Sequence, residues 1–137
     1  MAKRPLKFKI RLPSYVHPRL AWREAIYRQA KLVGAVYRAE DKLEVIVRLY
    51  LEGGALLTHD VDNRLKDILD ALQGRIGGSK AIRRFVPIIP NDNQVYRVVI
   101  EKLAPPAQSH GLGHLIVRKY APNKTLERTR MARAAQR

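Results

Sequence analysis

Apolar and polar residues alternate along Leu6-Lys7-Phe8-Lys9-Ile10-Arg11-Leu12, which predicts a strand with one buried and one wet face. Pro13 and Pro18 bound a loop. Trp22, Ala25, Ile26, Ala30 and Val33 then recur at helical spacing, so a helix is expected from Pro18 to about Val36. Arg19, Arg23, Arg28 and Lys31 fall largely off its apolar stripe, and Trp22 and Tyr27 read as core aromatics. Period two returns from Lys42 to Leu51, a second strand that Gly53-Gly54 break, with Leu56-Leu57-Thr58 leading onward. Leu65, Ile68, Leu69, Leu72 and Ile76 mark an amphipathic helix ending near Arg75 or Ile76, with Gly77-Gly78 as stop signals. Ser79 to Arg84 reads as a loop, and Phe85 to Pro90 is apolar but broken by proline, at most a short edge strand. Asn91-Asp92-Asn93-Gln94 is a turn, Val95 to Leu103 the strongest strand, Pro105 to Gly113 a loop and His114 to Tyr120 a final strand.

These elements predict an α+β (α/β) fold, a single domain in which a small mixed β-sheet of about four to five strands packs with two main helices. The body is expected over residues 1–121 and a basic tail over 122–137. At 137 residues and 46% apolar content the chain can bury a real core. Lys+Arg 27 against Asp+Glu 12 gives a net charge of +15, which points to a polyanionic partner, most often nucleic acid. No apolar run approaches the length of a membrane span, no signal core follows the N-terminus, and cysteine is absent. A cytoplasmic protein without disulfides or thiolate metal sites, at the nucleoid when bound to DNA, is the expectation.

Against that basic background, the segment from His59 to Leu72 concentrates four aspartates. Asp60 and Asp62 are two apart, so in extended chain both project to the same side. Asp62 sits where an N-cap belongs, with Asn63 as the competing choice, and Lys66 and Asp70 follow along one flank of the helix. Two readings stay open at this point. One is an ordinary N-capped surface helix whose acids suit the dipole. The other is a site for a hard cation such as Mg²⁺, or Mn²⁺, held by carboxylate oxygens. Asp92, in a turn abutting a strand, is a candidate third ligand. Acids gathered closely repel unless a cation joins them, and Mg²⁺ beside Lys66 suits phosphodiester hydrolysis. His59 reads as a structural histidine, Asn63 as a cap or a supporting group, Asp70 as either a supporting group or an arginine partner, and Asp67 as surface.

Asp60-x-Asp62-Asn63-x-x-Lys66-x-x-x-Asp70-Ala71-Leu72, followed by Asp92-x-Gln94-Val95 and the strand that begins Tyr96-Arg97-Val98-Val99, resembles the RusA-type Holliday-junction resolvases. The order of elements is similar over roughly residues 6–120. The resemblance implies a Mg²⁺-dependent endonuclease that resolves four-way DNA as a homodimer by paired nicks in DNA recombination and repair. It implies Asp60, Asp62 and Asp92 as catalytic metal ligands, assisted by Lys66. Arg64, Lys80, Arg83 and Arg84 are the expected DNA contacts. Asn91 stands where family members often carry a further acid, and the segment before the acidic pair lacks the usual basic residues. The alternative is a non-catalytic basic DNA-binding protein that retains the resolvase fold.

Overall fold

The computed structural model describes residues 7–15, 19–76, 83–106 and 113–122. Strand β1 (Lys7–Leu12) turns Phe8, Ile10 and Leu12 inward and its three basic residues outward, as its alternation predicts. Helix α1 (Arg19–Val33) buries Trp22, Ile26, Tyr27 and Ala30. The Trp22 indole N–H donates to the Pro13 carbonyl at 2.9 Å, which fastens the loop to the helix. The helix stops short of the expected Val36 because Gly34 turns the backbone to φ 76°, a left-handed conformation suited to glycine.

β2 (Leu43–Tyr50) is an interior strand: Leu43, Val45 and Val47 have no exposed surface and Leu49 almost none. Beyond it the glycine pair opens a short helix, α2 (Gly54–Thr58), where only a lead-in was expected. α3 (Val61–Leu72) buries Ile68, Ala71 and Leu72 against the core. It ends at Leu72, earlier than its apolar pattern suggests. Gly74 at φ 75° reverses the chain, and a Cβ there would run into the Phe85 carbonyl. Ile76, the last residue of the periodic pattern, is buried in β3 (Arg75–Ile76), which pairs with β4 (Arg83–Arg84) where a loop was expected. Ile88 and Ile89 donate backbone N–H groups to the Leu72 carbonyl, so the proline-broken segment caps the helix instead of forming a strand. β5 (Val95–Leu103) and β6 (Gly113–Lys119) complete the fold close to their expected bounds.

The main sheet is a four-stranded mixed sheet in the order β1-β6-β2-β5, with β2 and β5 parallel and the other pairs antiparallel. The architecture is thus the expected small α+β domain. Both long helices cover one face of the sheet. The tail residues 123–137, Gly77-Gly78, Lys80, and the side chains of Arg83 and Arg84 lie outside the described residues.

The two helices are joined by charge. Asp67, expected at the surface, has 0% exposure. It accepts from Arg19 Nη2 at 2.9 Å and from Arg23 Nε at 2.9 Å, and Arg64 Nη1 stands 3.6 Å away. Asp70 pairs with Arg23 at 3.1 Å. A buried carboxylate is tolerated only with such compensation. The Asp67→Ala variant is therefore expected to lose about 3–5 kcal/mol in urea unfolding, the cost of removing one partner from a buried ion pair. A loss below about 1 kcal/mol would instead describe a solvated surface pair.

Candidate functional site

Asp60 is the residue that caps α3, in extended conformation with φ −85° and ψ 133°. That corrects the expectation of Asp62 or Asn63 as the cap. Its side chain does not bond to the helix N–H groups. It accepts instead from Asn63 Nδ2 at 3.4 Å, while its carbonyl accepts from Arg64 N at 3.1 Å. Asn63, expected as a cap or a supporting group, makes its side-chain contact with the Asp60 carboxylate. Asp62 lies in the first helical turn, and both carboxylates are exposed. Among the described residues neither has an ion-pair partner. Lys66 is exposed one turn further along the same flank. The N-terminal N–H groups of α3 give the acids a favourable dipole but only partly offset two adjacent charges.

Beneath the acids the packing is aromatic and cationic. The His59 ring meets Tyr15 edge-on at 4.8 Å, and the Arg64 guanidinium lies over Tyr15 at 4.3 Å and near Trp22 at 5.8 Å. Arg64 is 8% exposed, packed over Tyr15 and paired with Asp67, which leaves little of it free for the DNA contact that was expected. The sequence signal was ambiguous: Arg64 precedes Leu65 in the apolar pattern and lies against the same side as Asp67. Asp70 is likewise committed to Arg23 and takes no part in the acidic pair. Lys102 was not singled out from the sequence. Its Nζ donates to the His59 carbonyl at 3.0 Å, which brings a cation from β5 to the residue before Asp60. His59 is held below its ordinary pKa, first by burial and then by the charges of Arg64 and Lys102.

Asp92 occupies a different place. Residues Asp92–Gln94 form one turn of 3-10 helix that leads into β5. Asn91 caps the turn, accepting from Asn93 N at 3.2 Å, while Gln94 accepts from Asn91 N at 3.0 Å. Gln94 is buried and donates to the carbonyls of Arg38 and Asp41 at 2.7 and 2.8 Å. The glutamine of the Asp-x-Gln-Val motif therefore has a structural role, and so does Asn91. Asp92 itself is exposed. It stands at the start of β5, whereas Asp60 stands by Lys102 near its end. The run from Val95 to Lys102 spans roughly 23 Å at strand spacing. Within one chain the structure thus sets Asp60, Asp62, Asn63 and Lys66 along the first turns of α3, with Asn63 bonded to Asp60, and sets Asp92 at the opposite end of the β2–β5 pair. Among the described residues no three His, Cys, Asp or Glu side chains are grouped to hold a metal ion.

Two exposed carboxylates, one of them oriented by an asparagine, are a partial donor set for a hard divalent cation that retains water ligands. No helix among the described residues is long and apolar enough to cross a membrane. No protein-family model matches the chain, and no curated protein does.

The depressed His59 pKa has a consequence for stability. The folded state resists protonation that the unfolded chain accepts at about pH 6.5, so the neutral ring's contribution is present above that pH. It is lost as pH falls from there toward the lowered folded value. The stability difference between the wild type and His59→Phe, followed by denaturant unfolding, is expected to shrink or reverse between about pH 7 and pH 5. A pH-independent difference would contradict the assignment.

Proposed function

We propose that the chain is a Mg²⁺-dependent, structure-selective endonuclease that cuts four-way DNA junctions by phosphodiester hydrolysis, acting as a homodimer. The observation that carries this reading is the exposed Asp60–Asp62 pair at the head of α3, with Asn63 on Asp60 and Lys66 one turn away. This arrangement lies in a protein of net charge +15. A basic protein that only bound DNA would gain nothing from carboxylates set where a phosphate approaches. Asp60 and Asp62 would hold the cation, which supplies a more acidic water and positive charge opposite the scissile phosphate. Asn63 fixes the orientation of Asp60. Lys66 offsets the charge that develops on the phosphate, and Lys102 adds positive potential from the neighbouring strand.

The position of Asp92 shapes the proposal. The β5 run between Asp92 and Lys102, roughly 23 Å long, argues against Asp92 as a third ligand to the same chain's acidic pair. In a homodimer, the twofold operation can set Asp92 of one subunit beside the Asp60–Asp62 pair of the other. The same remoteness is what favours the second reading, a basic DNA-binding protein in which Asp60 is a helix cap and Asp92 a turn residue.

A labelled four-way junction and a linear duplex of the same sequence separate the two. Paired nicks in the junction that require Mg²⁺ and disappear with chelator are expected. Tight junction binding without cleavage in Mg²⁺ or Mn²⁺ would establish the binding protein. Asp62→Asn is expected to abolish cleavage and to bind the junction at least as tightly as the wild type, because it removes negative charge facing DNA. Loss of binding together with cleavage would argue against a metal site.

A mixture of two inactive variants tests the shared site. If Asp92 serves the partner's acids, a heterodimer of Asp62→Asn and Asp92→Asn subunits collects both mutations in one site and leaves the other intact. Single nicks should then return to about a quarter of the wild-type level in an equal, fully exchanged mixture, without paired cuts. A mixture as inactive as its components would remove Asp92 from the site.

A further inference from the structure

The face of the sheet turned away from α1 and α3 has no helix over it among the described residues. The register fixes which side chains share it. Across its middle run Lys9, Ile116, Ile46 and Val99, one from each strand. On one side of that row lie Lys7, Arg118, Glu44 and Arg97; on the other lie Arg11, His114, Arg48 and Glu101. Six cations thus face two carboxylates. Glu44 is matched by Arg97 and Arg118, and Glu101 by Arg48. The three cations of β1 have no ion-pair partner among the described residues, and all are exposed.

The surface has both shape and aromatic character. Lys9, Ile46, Arg48, His114 and Ile116 line a hollow of about 230 Å³, with the two isoleucines as its apolar floor. At the sheet end that bears the Asp92 turn, Tyr96 and Tyr120 lie with ring centroids 5.7 Å apart. Tyr96 is 56% exposed. Lys42 stands over Tyr96 at 5.3 Å and Arg97 over Tyr120 at 5.0 Å. His114 is held below its ordinary pKa by burial and by Lys9, Arg11 and Arg48, which reports the positive potential of this face.

We propose that this helix-free face binds a single strand of DNA, with one base against Tyr96 and Tyr120, another over the Ile46–Ile116 floor, and the backbone on the β1 cations. Cations without partners supply sequence-independent attraction for phosphates, and exposed aromatic and apolar surface on a sheet supplies faces for unstacked bases. Duplex DNA presents no free base faces to such a platform. The choice of DNA over RNA rests on the nuclease reading; the surface itself does not depend on the acidic pair. An opened arm of a branched substrate is the strand it would hold.

The test is fluorescence anisotropy of a short labelled oligo-dT, with full-length protein in chelator so that no cleavage occurs. Wild-type protein should bind it in preference to linear duplex. Tyr96→Ala should weaken binding about tenfold, within the range for one stacked base. Lys9→Glu should weaken it comparably and flatten the dependence of log K on log salt by about 0.7 for each phosphate that is no longer neutralised. Both are exposed positions, and unchanged thermal melting would show that the variants remain folded. Wild-type affinity in both variants would overturn the proposal. So would equal affinity for oligo-rU, or a change in sedimentation mass on Lys9→Glu, which would assign the face to RNA or to a second copy of the chain. The two readings fail separately. Junctions left uncut while these variants lose oligo-dT binding would sink the nuclease alone. Cleaved junctions with undiminished oligo-dT binding in the variants would sink this surface alone.

Discussion

A carboxylate with no solvent exposure, Asp67, fixes how the two long helices meet, and the candidate site inherits its position from that meeting. Taking the charge out of water costs several kcal/mol unless partners replace the hydration. Arg19 and Arg23 reach across from α1 to supply them, with Arg64 alongside on α3 itself. The Arg19 guanidinium is held above its ordinary pKa by the same hydrogen bonds and by the charge of Asp67. Apolar contacts alone would let α3 slide or rotate over α1 at modest cost. Directional bonds to one carboxylate tolerate far less displacement, and the head of α3, two turns away, is held over the end of β2 and β5 as a result.

The parallel pairing of β2 with β5 is the second constraint. Parallel neighbours need a crossover that returns the chain to the starting end, and α3 is that crossover. Whatever follows β2 therefore lies at one end of the sheet, and whatever precedes β5 lies at the other. Asp60 and Asp62 belong to the first group and Asp92 to the second. Motif residues some thirty positions apart can be read together along the chain, yet this topology separates them by the length of a strand. In the proposed homodimer, the twofold axis would be the physical means by which such residues meet.

The helix packing also leaves the sheet with unequal faces. On the covered face β2 presents Leu43, Val45, Val47 and Leu49 to the core. On the other, charges and a short apolar row share the surface, with Glu44 buried between two arginines. β5 reads as the strongest strand from its sequence, yet it is an edge strand whose Tyr96, Val98, Val99 and Leu103 remain exposed. Strand propensity reports how well a side chain fits a pleated surface and carries no information about which strands will flank it.

Local pattern determined the elements. The two-residue period of β1, β2, β5 and β6 and the 3.6-residue period of α1 and α3 are set by which faces can be buried, and that information lies within a few neighbouring residues. The small α+β class followed from their order. Element ends were less legible. Gly34 and Gly74 stopped the helices inside their apolar patterns because a left-handed residue is decided by where the chain must turn next. The sequence likewise identified Asp60, Asp62, Asn63 and Lys66 as neighbours, since one helix start places them. It did not determine that Arg64 and Asp67 are buried, that Lys102 reaches His59, or that Asp92 lies at the far end of the sheet. Those follow from strand order and helix crossing, which depend on the summed burial of the whole core rather than on any local signal.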